Sequence, residues 1–210
     1  MDILSALVAE LERGDDEKVA ELTRRAIAQN LAPRDILDHG LIAGMNVVGE
    51  KFRTREIFLP DVLLAAKAMY AGMDLLKPLL AKDGVPTRGR VVLGTVQGDL
   101  HDIGKQLVGI MLRGAGFEVI DLGHDVAPAR FVAAVKELQP AVLGLSTLLT
   151  TTMPVMRKVV ALLKEEGLAG HVKTIVGGAP VSAEFAREIG ADTYGYDAAN
   201  AVERVSALVS

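Results

Sequence analysis

No cysteine occurs among the 210 residues. Its absence excludes a disulfide scaffold, a thiolate zinc site, an iron–sulfur cluster and a cysteine nucleophile. Tryptophan is also absent, and aromatic residues make up only 4% of the chain. The core must therefore be aliphatic, built from Val, Leu, Ile and Ala. No apolar run approaches the roughly 20 residues that a membrane helix needs. The opening stretch, MDILSALVAELERGDDEK, is acidic and lacks the basic-then-apolar pattern of a signal peptide. A cytoplasmic protein with no membrane partner is the expectation. Positive charge is in short supply too, with 23 Lys+Arg against 27 Asp+Glu and a net charge of -4. The basic residues are scattered among acids, so nucleic acid is not the expected partner.

Half of the residues are hydrophobic, and their spacing changes character near Asp83–Thr87. Before that point it is helical. Ile3, Leu4, Leu7, Val8 and Leu11 form one stripe. Val19, Leu22, Ala26 and Ile27 form a second, opened by the acids Asp15, Asp16 and Glu17, which suit a helix N-terminus. Pro33 opens a third helix, through Asp35, Leu37, Leu41, Met45 and Val48. Pro60 opens a fourth, through Leu63, Leu64, Ala68 and Leu75. Short joins make these a four-helix bundle. After Arg90, predicted strands (91–96, 118–121, 141–146, 173–176 and 192–194) alternate with predicted helices (103–113, 128–138, 154–166, 183–189 and 198–209). Such alternation predicts a doubly wound, five-stranded parallel sheet of flavodoxin-like or Rossmann-like type, with strand order 2-1-3-4-5. The expected architecture is thus α plus α/β, with a helical domain at 1–86 and an α/β domain at 87–210. Ligands of these sheets bind at the carboxyl ends of the strands.

The loop after the first strand reads Gln97-Gly98-Asp99-Leu100-His101-Asp102-Ile103-Gly104-Lys105. Asp99 stands close enough to His101 for its carboxylate to take the N–H of one ring nitrogen. That would leave the other nitrogen free for a metal or a proton. The same residues could instead cap a helix, with His101 simply exposed. The loop after the third strand, from Ser146 to Thr152, is rich in hydroxyls that could bind a polar ligand or satisfy backbone groups. Gly177-Gly178 after the fourth strand permits close backbone approach, or only a tight turn. The four histidines, His39, His101, His124 and His171, form no zinc-type pair. The third strand ends in Ser146, not the Asp of a phosphoacceptor. No GxGxxG follows the first strand and no GxSxG nucleophile elbow is present. What remains is a site that supplies one histidine backed by a carboxylate and a hydroxyl, which is what a metal needs when a macrocycle fills its equatorial positions.

These residues resemble a family. Asp99-Leu100-His101-Asp102-Ile103-Gly104 is similar to the DxHxxG motif of cobalamin-binding domains. Ser146-Thr147-Leu148 is similar to their SxL motif and Gly177-Gly178 to their third, in the same order on the same strand ends. Gly44–Phe52 and Ile57–Pro60 resemble the helical cap of methionine synthase and of corrinoid methyltransferase proteins. The nearest group is the stand-alone corrinoid carriers of anaerobic methyltransferase systems, which serve methanol, methylamines, glycine betaine or aryl methyl ethers.

The resemblance implies a cobalamin or related corrinoid cofactor with His101 as the axial cobalt ligand. Asp99 would hold the other nitrogen of His101, and Thr152 stands where the family's relay has a serine. Gly98, Leu100, Asp102, Ile103 and Gly104 would line the cofactor loop. Ser146, Leu148 and Thr150 would meet the displaced nucleotide tail, with Gly177 and Gly178 leaving it room and Ala198 near its far end. Phe52 and Leu59 would shield the upper face, joined on the cap by Met45, for which packing is the plainer role. Asp38 stands where methionine synthases have a cap acid. His124 could approach the ring edge or be simply exposed. The implied function is a methyl carrier, not catalytic without its partners. These would be a substrate-specific methyltransferase, a methylcorrinoid:tetrahydrofolate or coenzyme M methyltransferase, and a reductive activation protein. The stretch from Asp83 to Arg88 would be the hinge that swings the cap aside. The alternatives are the cobalamin-binding subunit of a mutase and a cobalamin-dependent sensor or storage module.

Overall fold

A computed structural model describes residues 2–82 and 88–209. The hinge expected from Asp83 to Arg88 therefore falls almost wholly outside the described residues. The chain divides into two compact units, Met1–Thr87 with Gly114–Gly116, and Arg88–Arg113 with Phe117–Ser210.

The first unit is helical. Helix α1 spans Ile3–Glu12 and α2 spans Asp16–Ala28; α3 is Pro33–Ile36, α4 is Ala43–Arg53 and α5 is Leu59–Lys82. Asp15 caps α2 by accepting the Lys18 N–H at 2.9 Å, with Asp16 and Glu17 in the first turn, as the helix macrodipole favours. Between α3 and α4 the helix does not break but widens into a π-turn at Leu37–Ile42, a feature with no signature in the apolar spacing. Gly40 and Gly44 let α1 close on this segment. A Cβ there would lie 3.2 Å from the Leu7 side chain and 3.1 Å from that of Leu11, respectively.

The buried stripe of α5 keeps Ala68 but otherwise departs from the expected one. Val62, Ala65, Met69 and Leu76 are buried, whereas Leu63 and Leu64 face outward. The helix is apolar on most sides, so spacing alone does not select a face. Its small residues do, because a Cβ on Gly72 would lie 2.8 Å from Leu41.

In the second unit, β1 (Arg90–Thr95), β2 (Glu118–Asp121), β3 (Val142–Ser146), β4 (Lys173–Gly177) and β5 (Thr193–Gly195) form one parallel sheet in the order β2-β1-β3-β4-β5. The helices between and after them are α6 (Ile103–Gly114), α7 (Pro128–Leu138), α8 (Met153–Glu165), α9 (Ala183–Ile189) and α10 (Ala198–Leu208). Both sheet faces are covered. Val92, Leu143, Leu145 and Val176 pack with α7, α8 and α9 around Phe131 and Met156. On the other face Gly109 of α6 sits against Leu93 and Val119, and Ala201 of α10 against Gly195.

Strand ends shift slightly from the expected spans. Val96 leaves the ladder as a single bridge to Val126. Asp192 precedes β5 because its carboxylate accepts the Thr174 N–H and Oγ1–H, at 2.8 and 2.9 Å. Among the described residues no helix is long and apolar enough to cross a membrane.

Phe131 has no exposed surface, and a Cβ added at Gly94 would lie 2.5 Å from its ring. Phe131→Ala is expected to cost about 3–5 kcal/mol of stability through the cavity it leaves. Urea unfolding measures this, and a loss under about 1 kcal/mol would mean that the sheet and α7 close the gap.

Candidate functional site

In the order β2-β1-β3-β4-β5 the chain runs from β1 to a neighbour on one side and later returns to β3 on the other. The crevice at this reversal lies at the carboxyl ends of β1 and β3. Two loops flank it. The first, after β1, turns at Gly98 with φ 85°, a left-handed conformation that glycine adopts freely. The second, after β3, runs from Thr147 to a short 3-10 turn at Thr150–Thr152.

Asp99 lies between these loops with no exposed surface. Its Oδ1 accepts the His101 backbone N–H at 2.9 Å and meets His101 Nδ1 at 2.7 Å. Its Oδ2 accepts the Leu148 N–H at 2.6 Å and the Thr147 hydroxyl at 2.8 Å. Burial by itself would raise this carboxyl, but the backbone N–H groups of Leu148 and His101, the His101 ring and the Thr147 hydroxyl together hold it well below the usual carboxylate range. An ionised Asp99 can only accept, so the network assigns the imidazole proton to Nδ1. Nε2 then carries the free lone pair. The His101 side chain stays 54% exposed, and its carbonyl is held by the buried Thr95 hydroxyl at 3.0 Å. The ring is thus anchored on one edge while much of its surface remains open.

The hydroxyl beside Asp99 is that of Thr147, not Thr152. Thr152 Oγ1 stands one place further out, 2.5 Å from Thr147 Oγ1 and 3.0 Å from the Leu149 carbonyl to which it donates. Thr147 was missed because five hydroxyls crowd Ser146–Thr152 and spacing does not rank them. Its orientation comes from β4. The Thr147 N–H donates to the Gly177 carbonyl at 3.2 Å, and the Thr147 carbonyl passes so close to Gly178 that a Cβ there would sit 1.7 Å away. Gly178, with φ 129°, is required by the protein's own backbone. Gly177 meets the Gly195 carbonyl in a similar way, at 2.9 Å from an added Cβ.

Other residues singled out by sequence cluster at the same end of the sheet. Ser146 closes β3 and its carbonyl accepts the Val96 N–H at 3.0 Å. Thr150 is exposed at the start of its turn, and Ala198 is buried in the first turn of α10 behind the Asp197 cap. Asp102 does not cap α6 with its carboxylate, which instead accepts from the Gln106 side chain at 2.5 Å. An added Cβ at Gly104 meets nothing within 4 Å, so no packing demands that glycine. Leu100 is 67% and Ile103 72% exposed, and Leu148 is exposed as well. Apolar groups left in water beside a half-open imidazole are what a large, flat, partly apolar ligand would cover. His124 is exposed. Met45 is buried in the helical unit, and Phe52 and Leu59 are half-buried on either side of its α4–α5 turn. Asp38, in the π-turn, accepts from Arg34 at 2.8 Å.

Among the described residues no group of three or more His, Cys, Asp or Glu could hold a metal ion. A metal at His101 must therefore bring most of its ligands with it. The donor set, one oriented imidazole and no second ligating side chain, fits a corrinoid.

Comparison with known proteins points the same way. A family model described as a B12 binding domain matches residues 89–204, and another of the same description matches residues 3–77. Trimethylamine corrinoid protein 2 of Methanosarcina acetivorans is 46% identical over 197 residues, covering 93% of this chain and 91% of that protein. Among solved structures, a cobalamin-binding protein from Desulfitobacterium hafniense matches with a TM-score of 0.81 and 36% identity, over 99% of this chain and 98% of that one. A chain of the methanol:cobalamin methyltransferase complex of Methanosarcina barkeri matches with a TM-score of 0.88 and 33% identity, over 99% of this chain and 79% of that one.

A carboxyl depressed by folding stabilises the protein above its unfolded value and loses that contribution as pH falls. The unfolded value is about 3.9. The melting temperature should therefore decline as pH drops through about 4 and below, and Asp99→Asn should flatten that decline while lowering stability at neutral pH. Thermal unfolding across the acid range tests this. Parallel curves for the two proteins would mean that Asp99 titrates alike in the folded and unfolded states.

Proposed function

This chain belongs to the B12-binding family of corrinoid proteins, and we propose that it carries a methyl group on cobalt between a substrate-specific methyltransferase and a second one that passes it to tetrahydrofolate or coenzyme M. Its cofactor is cobalamin or a related corrinoid. The reading includes a reductive activation protein as a further partner, a cytoplasmic location, and a division into a helical cap at 1–86 and a cofactor domain at 87–210. The observation that carries it is the half-exposed His101, tied at Nδ1 to a buried, ionised Asp99, at the carboxyl end of a doubly wound sheet.

Bound there, the corrinoid supplies a cobalt centre able to take up and release a methyl group. The chain's own work is binding, orientation and proton control. His101 would offer Nε2 to the cobalt, the nitrogen that Asp99 leaves free. Asp99 fixes the tautomer and strengthens the imidazole as a donor. A proton on Nε2 would remove the lone pair that a metal needs. Ligation and protonation therefore compete at one atom. Thr147 holds Asp99 in place, with Thr152 behind it. In this reading Gly98, Leu100, Asp102, Ile103 and Gly104 line the ring. Ser146, Leu148 and Thr150 would meet the nucleotide tail, with Gly177 and Gly178 leaving it room and Ala198 near its far end. Met45, Phe52 and Leu59, in the helical unit, would shield the cofactor.

The methyl donor is set by the partner methyltransferase. The relatives' names differ in donor, trimethylamine in one and methanol in another, while this chain is similar to both.

The test is anaerobic incubation with hydroxocobalamin, removal of free cofactor by gel filtration, and measurement of cobalt and of the visible spectrum. Near-stoichiometric cobalt with a histidine-ligated, base-off spectrum is expected. His101→Ala should retain the corrinoid but lose the histidine-ligated spectrum. No retained cobalt would overturn the reading, and an unchanged spectrum in His101→Ala would reject His101 as the ligand. Methyl transfer from a methylated donor to the reduced holoprotein distinguishes a carrier from a mutase subunit, a sensor or a storage module.

A further inference from the structure

We propose that Asp125 is a positioning residue for the Asp99–His101 pair, gripping the backbone on both sides of Asp99 from the neighbouring loop. The inference deepens the corrinoid reading and, for its effect on ligation, rests on it.

Asp125 lies in the loop that follows β2, the strand beside β1. Its carboxylate Oδ1 accepts the Gly98 N–H at 2.7 Å. Its own N–H donates to the Asp99 carbonyl at 3.0 Å. The two bonds bracket the Gly98–Asp99 segment. With its backbone held at both ends, Asp99 has little freedom in where it directs its carboxylate, and that carboxylate sets His101. The clamp is itself anchored. The Thr95 N–H donates to the Gly123 carbonyl and the Val126 N–H to the Thr95 carbonyl, both at 3.0 Å. Asp121 Oδ1 accepts the Gly123 N–H at 2.9 Å and pairs with the buried Lys105.

The backbone of Asp125 shows that this arrangement is specific. Its φ is 54°, in the left-handed region that most side chains avoid and that Asp and Asn tolerate best. The left-handed turn brings the N–H and the carboxylate of one residue to the same two-residue segment of the next loop. Asn preserves both the backbone preference and the acceptor. Gly preserves the backbone alone, and Ala preserves neither.

Two measurements on Asp125→Asn, Asp125→Gly and Asp125→Ala test the proposal. The first is amide hydrogen exchange in the cofactor-free protein. The Gly98 amide loses its acceptor directly. The informative amide is His101, whose acceptor is Asp99 Oδ1, not Asp125. Asp125→Ala should speed exchange at both by about tenfold, the scale of one lost hydrogen bond to a charged acceptor. Asp125→Gly should fall between Ala and the wild type, and Asp125→Asn should stay close to the wild type. The second is the visible spectrum of each variant loaded with hydroxocobalamin, where the histidine-ligated fraction should fall in the same order and be restored in Asp125→Asn.

Exchange at His101 that is the same in all variants would overturn the proposal. So would an increase spread evenly over the sheet, which marks a merely structural residue, or an Asn variant as impaired as Ala. If wild-type protein retains no corrinoid while the exchange pattern holds, the corrinoid reading fails and the clamp stands.

Discussion

A carboxylate with no exposed surface must find a donor for its lone pairs, or fold in its neutral form. Asp99 finds four, two on each oxygen. Everything distinctive about the site depends on this. Because Asp99 is ionised, the imidazole edge facing it must present a hydrogen, and the free lone pair of His101 is therefore on the outer nitrogen. Because Oδ2 takes its two donors from Thr147 and Leu148, the same carboxylate joins the loop after β1 to the loop after β3. One charge orients the ring and ties together the loops that surround it.

That junction is available only because of the strand order. β1 and β3 are neighbours in space but lie more than forty residues apart in sequence, as the register Thr95↔Ser146 shows. The order places β2 on the other side of β1. Its following loop therefore reaches the backbone of the Asp99 loop from the flank opposite Thr147. Asp99 is gripped at its carboxylate by one neighbour and at its backbone by the other. The reversal of strand order at β1 is thus the reason this position, and not the carboxyl end of β4 or β5, suits the histidine.

Close packing of backbone against backbone does the rest. The Thr147 carbonyl runs against Gly178 where no side chain fits, which seats the β3 loop and turns the Thr147 hydroxyl inward. Sheet and helices close in the same manner, with Phe131 over Gly94 and Leu93 over Gly144. A chain poor in aromatic residues gains tight contacts by pairing its few large side chains with glycines. The residues that escape this economy, Leu100, Ile103 and Leu148, stay exposed beside His101. A flat cofactor seated there would remove their apolar surface from water.

The alternation of strands and helices, the helical first unit and the pairing of Asp99 with His101 were legible in the chain alone. Each depends on short-range pattern: buried runs bounded by turns, apolar spacing of a helical period, and two side chains within reach along one loop. Legibility ended where contacts became long-range. The outward placement of Leu63 and Leu64 was decided by Gly72 lying against Leu41, a choice of face that an all-round apolar helix leaves open. The π-turn at Leu37–Ile42 left no mark, since one widened turn barely alters the apolar spacing. Thr147 rather than Thr152 reached Asp99 because of the approach of β4. Asp125, in a different loop, has no sequence mark beyond its residue type. Local physics fixes which groups a chain offers; only the folded sheet decides which of them meet, because the groups that must touch Asp99 arrive from strands far apart in the chain.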